Sequence, residues 1–301
     1  MLKTVNHLLQ AGAYLILLGI ARLLPIAWSS AIGGALTRNL RFFLKERKVG
    51  LENLNLAFPD MSDEIKVRIA TAVWDNLGRT GLEFLAIHKI SQNFDKHVSI
   101  EGAAHIETLK QSSRPVLIAS GHFANWNVIL MTVMRVVGDA VAIYRPVNNP
   151  YLDRIIREQY QYIAPRSLAK GETLAKMTNA LRQGAPIAML ADQHMSGGLE
   201  VMFFGQKVLA PAGPATLAIR AGAGIIPMHC RRDPSSGIKP HFTVSFGAPL
   251  VSHKESRKEQ IIDLTQQYYS YLEDEIRKYP ESWLWLHARF SKYQPPQPEI
   301  G

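Results

Sequence analysis

A histidine closes an apolar run in Ile118-Ala119-Ser120-Gly121-His122-Phe123-Ala124-Asn125-Trp126-Asn127. Pro115 to Ala119 suits a short buried strand. Gly121 ends that strand and lets a ligand approach the backbone closely. An imidazole at a strand end, on a turn into a helix, is well placed for general-base chemistry. Four further segments carry reactive or recognising side chains. In Tyr144-Arg145-Pro146-Val147-Asn148-Asn149-Pro150, Arg145 follows a predicted strand and could recognise phosphate or carboxylate. A solvated arginine in a Pro- and Asn-rich turn fits the same pattern. Asp192 and Gln193 follow the apolar run Ile187–Leu190, at the strand end where α/β proteins commonly place site residues. Asp192 as a simple turn cap is the competing reading. Phe203 and Phe204, beside Gly205 and preceded by Ser196-Gly197-Gly198, could line an acyl channel or fill the core. The tail from Pro280 to Phe290 combines Trp283 and Trp285 with His287 and Arg289, a mixture suited to a membrane interface.

Other chemistries lack their motifs. His194 and His287 match no zinc spacing, so neither a metal nor another cofactor is expected. The chain contains no phosphate-cradling glycine loop, no GxSxG elbow and no nucleic-acid reader motif.

The elements that must position these residues alternate. Val116–Ser120, Ala140–Tyr144, Ile187–Ala191, Ile225–His229 and Phe242–Phe246 are predicted strands. Helices are predicted over 62–90, Tyr151–Ile163, Thr173–Gln183 and Ile261–Tyr279. This order predicts an α/β fold, a central, mostly buried sheet flanked by helices. Ahead of it, Ala11–Trp28 carries one charge, Arg22, and one proline, Pro25, and suits a membrane-embedded or interfacial helix. Arg38, Arg41, Lys45, Arg47 and Lys48 follow, which favours the cytoplasmic side and anionic lipid. Residues 1–45 are accordingly an expected anchor and basic connection, and residues 46–301 an α/β catalytic domain.

The chain has 301 residues, of which 47% are hydrophobic and 20% charged, enough for a large buried core. Its formal net charge of +9 favours an anionic partner. Basic residues without a reader motif exclude nucleic acid as the expected one. Cys230 is the single cysteine, so no intrachain disulfide forms.

The chain resembles the lipid A biosynthesis acyltransferases, the lauroyl and myristoyl transferases of Gram-negative bacteria. The resemblance runs through Glu52-Asn53-Leu54 with Ala57-Phe58-Pro59, Gly121-His122-Phe123-Ala124-Asn125-Trp126 and Tyr144-Arg145-Pro146 with Asn149-Pro150. It continues in Asp192-Gln193, Phe203-Phe204-Gly205 and Trp283-Leu284-Trp285-Leu286-His287. It implies an enzyme on the cytoplasmic face of the inner membrane that moves a fatty acyl chain from acyl carrier protein to a hydroxyl of a lipid A precursor or related glycolipid. In the family the histidine, here His122, is the general base. Arg145, Asp192, Gln193 and Phe204 then become expected substrate-binding residues.

The resemblance breaks at three positions. Asn127 stands where the family carries an acidic residue five positions after its histidine. Tyr160 replaces a frequent arginine expected to face the site, and Ala210 a frequent threonine. An amide can orient His122 but cannot stabilise the imidazolium by charge. Two readings follow: an acyltransferase weakened or altered at Asn127, or a catalytically impaired relative that binds lipid or a partner. On the first, Asn127→Glu is expected to raise transfer.

Overall fold

The computed structural model describes residues 2–111, 114–144, 146–169 and 174–290. Its centre is a seven-stranded sheet. In chain order the strands are β1 (Val98–Glu101), β2 (Val116–Ser120), β3 (Val141–Tyr144), β4 (Ser167–Ala169) and β5 (Ile187–Leu190). They continue with β6 (Leu199–Phe203), β7 (Gln206–Ala210), β8 (Gly224–Arg232) and β9 (Phe242–Phe246). The sheet order is β1-β9-β8-β2-β5-β3-β4, while β6 and β7 form a separate hairpin. From β8 to β4 neighbouring strands are parallel; β9 is antiparallel to β8, and β1 runs parallel to β9. Every residue of β2 and of β9 is buried. Helices on both faces bury the two strands alike, although β2 reads as an apolar run and β9, Phe242-Thr243-Val244-Ser245-Phe246, alternates apolar with polar residues.

The expected β2 and β9 coincide with the observed strands, and β8 extends beyond the expected Ile225–His229 at both ends. The helix expected over 62–90 divides at Ala86 into Asp63–Leu85 and Ile87–Gln92. Ser62 caps its start, its hydroxyl accepting from the Ile65 N–H. The final helix begins at Arg257, ahead of the expected Ile261, because Ser256 and Glu259 form a reciprocal capping box. The expected helix start at Thr173 lies outside the described residues; the helix is described over Leu174–Arg182. β1, β4 and the β6–β7 hairpin had no expected counterpart. β1 is a sheet-edge strand with three exposed residues, and gives little apolar signal.

The N-terminal segment forms two helices, Leu2–Leu23 and Ile26–Leu40, joined at Pro25. Among the described residues one helix is long and apolar enough to cross a membrane, over Thr4–Leu23. Leu9, Ile16 and Leu23, seven residues apart, lie on its exposed side at 68%, 66% and 87% exposure, while Leu18 and Ala21 pack against Leu85 and Ala86. The second helix crosses Asp63–Leu85 at glycine. A Cβ on Gly33 or Gly78 would overlap the other's carbonyl oxygen. Around this crossing Thr37 Oγ1 donates to the Trp74 carbonyl at 2.6 Å, and Ser30 Oγ to Glu83 Oε1 at 2.6 Å.

Candidate active site

Strand register brings the two key residues together. Ser120 of β2 pairs with Leu190 of the parallel β5. His122 and Asp192, each two residues further on, therefore leave neighbouring strand ends in step. The C-terminal helix pins both ends: the Tyr268 hydroxyl donates to the Ser120 carbonyl at 2.7 Å and the Tyr269 hydroxyl to the Ala191 carbonyl at 3.0 Å.

His122 Nδ1 lies 2.7 Å from Asp192 Oδ1, and Asp192 Oδ2 accepts from the His122 backbone N–H at 2.8 Å and from Trp283 Nε1 at 2.8 Å. Asp192 is 3% exposed and the His122 side chain 18%. Burial pushes the Asp192 carboxyl up; the His122 charge and the bonds from His122 and Trp283 outweigh it and hold the group at about 2. An ionised carboxylate on Nδ1 fixes its proton there and makes Nε2 the basic nitrogen. Gly121 is necessary to this approach, because a Cβ there would stand 2.9 Å from Asp192 Oδ2.

The backbone behind His122 is strained and held. Ala124 has a φ of 38°, in the left-handed region. Its carbonyl accepts from Asn76 Nδ2 at 2.9 Å and Thr80 Oγ1 at 3.0 Å, and its N–H donates to the Ser282 carbonyl at 2.6 Å. Asn125, which caps the helix Trp126–Val136, donates to Glu83 Oε2 at 2.9 Å. Glu83 is fully buried and takes two further bonds from Arg232, at 2.7 and 3.0 Å. Burial pushes its carboxyl up, but Arg232, Ser30 and Asn125 together hold it below the usual range.

The tryptophan tail is part of this site rather than a membrane contact. Trp283 is 3% exposed and Trp285 fully buried, which corrects the interface expected from their side-chain types. Phe123 pairs with Trp283 in an antiparallel bridge, and Leu284 N–H donates to the His122 carbonyl at 3.0 Å. Asn53, 1% exposed, holds the turn that follows, its amide donating to the Trp285 and His287 carbonyls at 2.6 and 2.7 Å. Gln193 Nε2 then lies 3.4 Å from His122 Nε2 and 3.2 Å from His287 Nε2.

The remaining expected residues fall elsewhere. Asn127 is buried, and its backbone and side-chain N–H groups both donate to Asn125 Oδ1 at 3.1 Å; no hydrogen bond joins it to His122 among the described residues. Phe204, with a φ of 53°, sits in the turn of the β6–β7 hairpin, 4% exposed, against Phe58, Phe203 and Trp285. Tyr160 packs edge-on against Phe84, and Ala210 is fully buried at the end of β7. Arg145 lies outside the described residues. Glu83, Arg232, Asn53, Tyr268 and Tyr269 support the site without a local sequence signal, except that Asn53 falls in a segment carrying the family resemblance.

An α/β sheet with a histidine–carboxylate pair at the ends of its central strands is the class that this geometry defines. The bacterial lipid A biosynthesis acyltransferase family matches the chain over residues 2–292, so the protein belongs to that family. The chain is 24% identical over 259 residues to the lipid A biosynthesis lauroyltransferase of Escherichia coli (strain K12), covering 83% of this chain and 81% of that protein. It is 24% identical over 278 residues to the lipid A biosynthesis palmitoleoyltransferase of the same organism, covering 89% and 86%. A phosphatidylinositol mannoside acyltransferase of Mycolicibacterium smegmatis is 22% identical over 191 residues, covering 62% and 60%. The family is enzymatic, and its named members transfer acyl groups.

Proposed function

We propose that this enzyme moves a fatty acyl chain from acyl carrier protein to a hydroxyl of a lipid A precursor or related glycolipid, with His122 as general base oriented by Asp192. One observation carries the reading: the 2.7 Å contact between His122 Nδ1 and a buried, ionised Asp192. That pair supplies the charge that Asn127 cannot. Nε2 takes the acceptor's proton, the oxygen attacks the thioester carbonyl carbon, the carbon–sulfur bond breaks, and the departing thiolate takes the proton back. No acyl-enzyme is needed. Residues 1–45 hold the enzyme at the cytoplasmic face of the inner membrane and residues 46–301 carry the chemistry. The charge of +9 supports two acidic substrates. Arg145 binds an anionic group on one of them. Arg145→Ala is expected to raise KM or abolish turnover, and Arg145→Lys to restore only part of it.

The test is transfer by purified protein from acyl carrier proteins of several chain lengths to phosphorylated glycolipid acceptors. His122→Ala should abolish transfer; transfer that survives it overturns the base assignment. A folded wild-type protein that binds lipid and transfers nothing supports the impaired, lipid-binding alternative.

A further inference from the structure

We propose that Gln193 is a catalytic residue, stabilising the negative charge that forms on the donor's carbonyl oxygen, and that His287 positions it. The proposal rests on the reading of His122 as base.

Three observations converge. Gln193 directly follows Asp192, so the residue that orients the base and the amide beside it leave β5 together. The Gln193 amide nitrogen stands between two imidazoles whose ring centres are 6.0 Å apart, 3.2 Å from His287 Nε2 and 3.4 Å from His122 Nε2. His287 is exposed, but its backbone is not loose: the buried Asn53 amide grips the carbonyls of Trp285 and His287 at 2.6 and 2.7 Å.

A carboxamide nitrogen carries two N–H donors. One is given to His287 Nε2. The second points toward His122, where 3.4 Å is too long for a firm bond. Beside Nε2 of the base is where the acceptor oxygen meets the thioester. A carbonyl oxygen on the attacked carbon falls within reach of that second N–H. As the new carbon–oxygen bond forms, the π pair of the carbonyl moves to its oxygen, which Gln193 then holds. When the carbon–sulfur bond breaks, the pair returns, and the thiolate takes the proton from His122. Gln193 neither gains nor loses a proton. An amide suits this work because it donates at every pH and needs no reorganisation as charge develops.

The experiment compares thioester donors with dithioester donors, in which sulfur replaces the carbonyl oxygen. Sulfur accepts hydrogen bonds poorly, so a site that works through the carbonyl oxygen discriminates against the dithioester. Gln193→Ala should lower kcat for the thioester by about 10²–10³-fold, with KM changed little. The wild-type preference for thioester over dithioester should shrink in that variant. His287→Ala should cost about tenfold in kcat, since the donor survives but is no longer held, an effect on the order of one orienting hydrogen bond. His287→Gln, whose side-chain oxygen can accept the same N–H, should recover most of it. Gln193 is partly exposed, so thermal midpoints should match wild type. An unchanged thioester preference in Gln193→Ala, or a loss confined to KM, overturns the assignment of Gln193. A His287→Gln variant no better than His287→Ala overturns the positioning role. His122→Ala separates the two readings: if transfer survives it while Gln193→Ala still erases the thioester preference, the base reading falls and the Gln193 assignment stands.

Discussion

Asp192, not Asn127, lies against His122. A carboxylate at position 127 would meet Asn125 Oδ1, which already accepts from the Asn127 backbone and side chain. Asp192 instead reaches His122 from the neighbouring strand end. Asp192→Asn keeps the shape and removes the charge, so kcat should fall on the order of 10³–10⁴-fold in the acyl-transfer assay, the scale of the serine-protease aspartate. The same carboxyl ties stability to pH. Its folded-state value of about 2 lies below the ordinary 3.8, so it contributes stability above that ordinary value and loses it as pH falls from 3.8 toward 2. Wild type should lose about 2 kcal/mol across that window in denaturant titrations, and Asp192→Asn should lack that share of the decline. Restoring the family's acidic residue has the opposite outlook from the one its motif implies. Asn127→Glu places an acceptor against an acceptor, and should lower stability by about 1–3 kcal/mol without a large gain in transfer. A rise of tenfold or more in kcat would return the orienting role to position 127.

The helix Asp63–Leu85 makes two sets of contacts. Gly78 meets the second N-terminal helix at Gly33, while Asn76, Thr80 and Glu83 hold the loop that carries His122, Glu83 also accepting from Ser30 of that second helix. A change at the crossing should therefore be felt in turnover. Gly78→Ala would drive a methyl group into the Gly33 carbonyl and Thr37 Oγ1. The helices must separate, at a cost of about 1–3 kcal/mol. As they separate, the bonds to Ala124 and Asn125 lengthen. The expected result is a lowered thermal midpoint together with a lowered kcat. A variant that loses stability but keeps full kcat would show that the His122 loop is held independently of the crossing.

Across the whole molecule, the two N-terminal helices have different standing. Leu2–Leu23 exposes most of its apolar side chains, whereas Ile26–Leu40 is built into the fold through Ser30, Gly33 and Thr37. A deletion through residue 30 would strip Ser30 from Glu83 as well as the apolar helix. Deleting residues 2–23 is the cleaner cut. The shortened protein should remain folded and leave the integral membrane fraction. It should still bind anionic vesicles through Trp28, Leu36, Phe43 and the basic residues Arg38, Arg41, Lys45, Arg47 and Lys48, and release at about 1 M salt, where charges are screened within about 3 Å. Sedimentation with vesicles at low and high salt checks this. Full retention at high salt would mean that burial of apolar side chains, not charge, holds the remainder.

Local pattern determined much of this protein. Both β2 and β9 were legible as strands residue for residue; the apolar run of β2 also marks burial on both faces, whereas the alternating Phe242-Thr243-Val244-Ser245-Phe246 of β9 suggests one wet face that the folded chain buries. The apolar N-terminal helix was legible in kind but not in bounds, since the expected Ala11–Trp28 breaks at Pro25 into two helices; the order of motifs that carries the family was legible as well. His122, Asp192 and Gln193 were legible as candidates because each follows an apolar run that ends abruptly. Their partnership was not. A contact between residues 122 and 192 depends on β2 and β5 being parallel neighbours in register, which long-range packing alone decides. The tail shows the same limit: Trp283 and Trp285 suit a membrane interface by type, and only the folded chain buries them and turns one indole onto Asp192. Side-chain type and spacing report which face of an element is apolar. Which elements lie side by side, and so which carboxylate reaches the histidine, is settled by how the sheet is ordered.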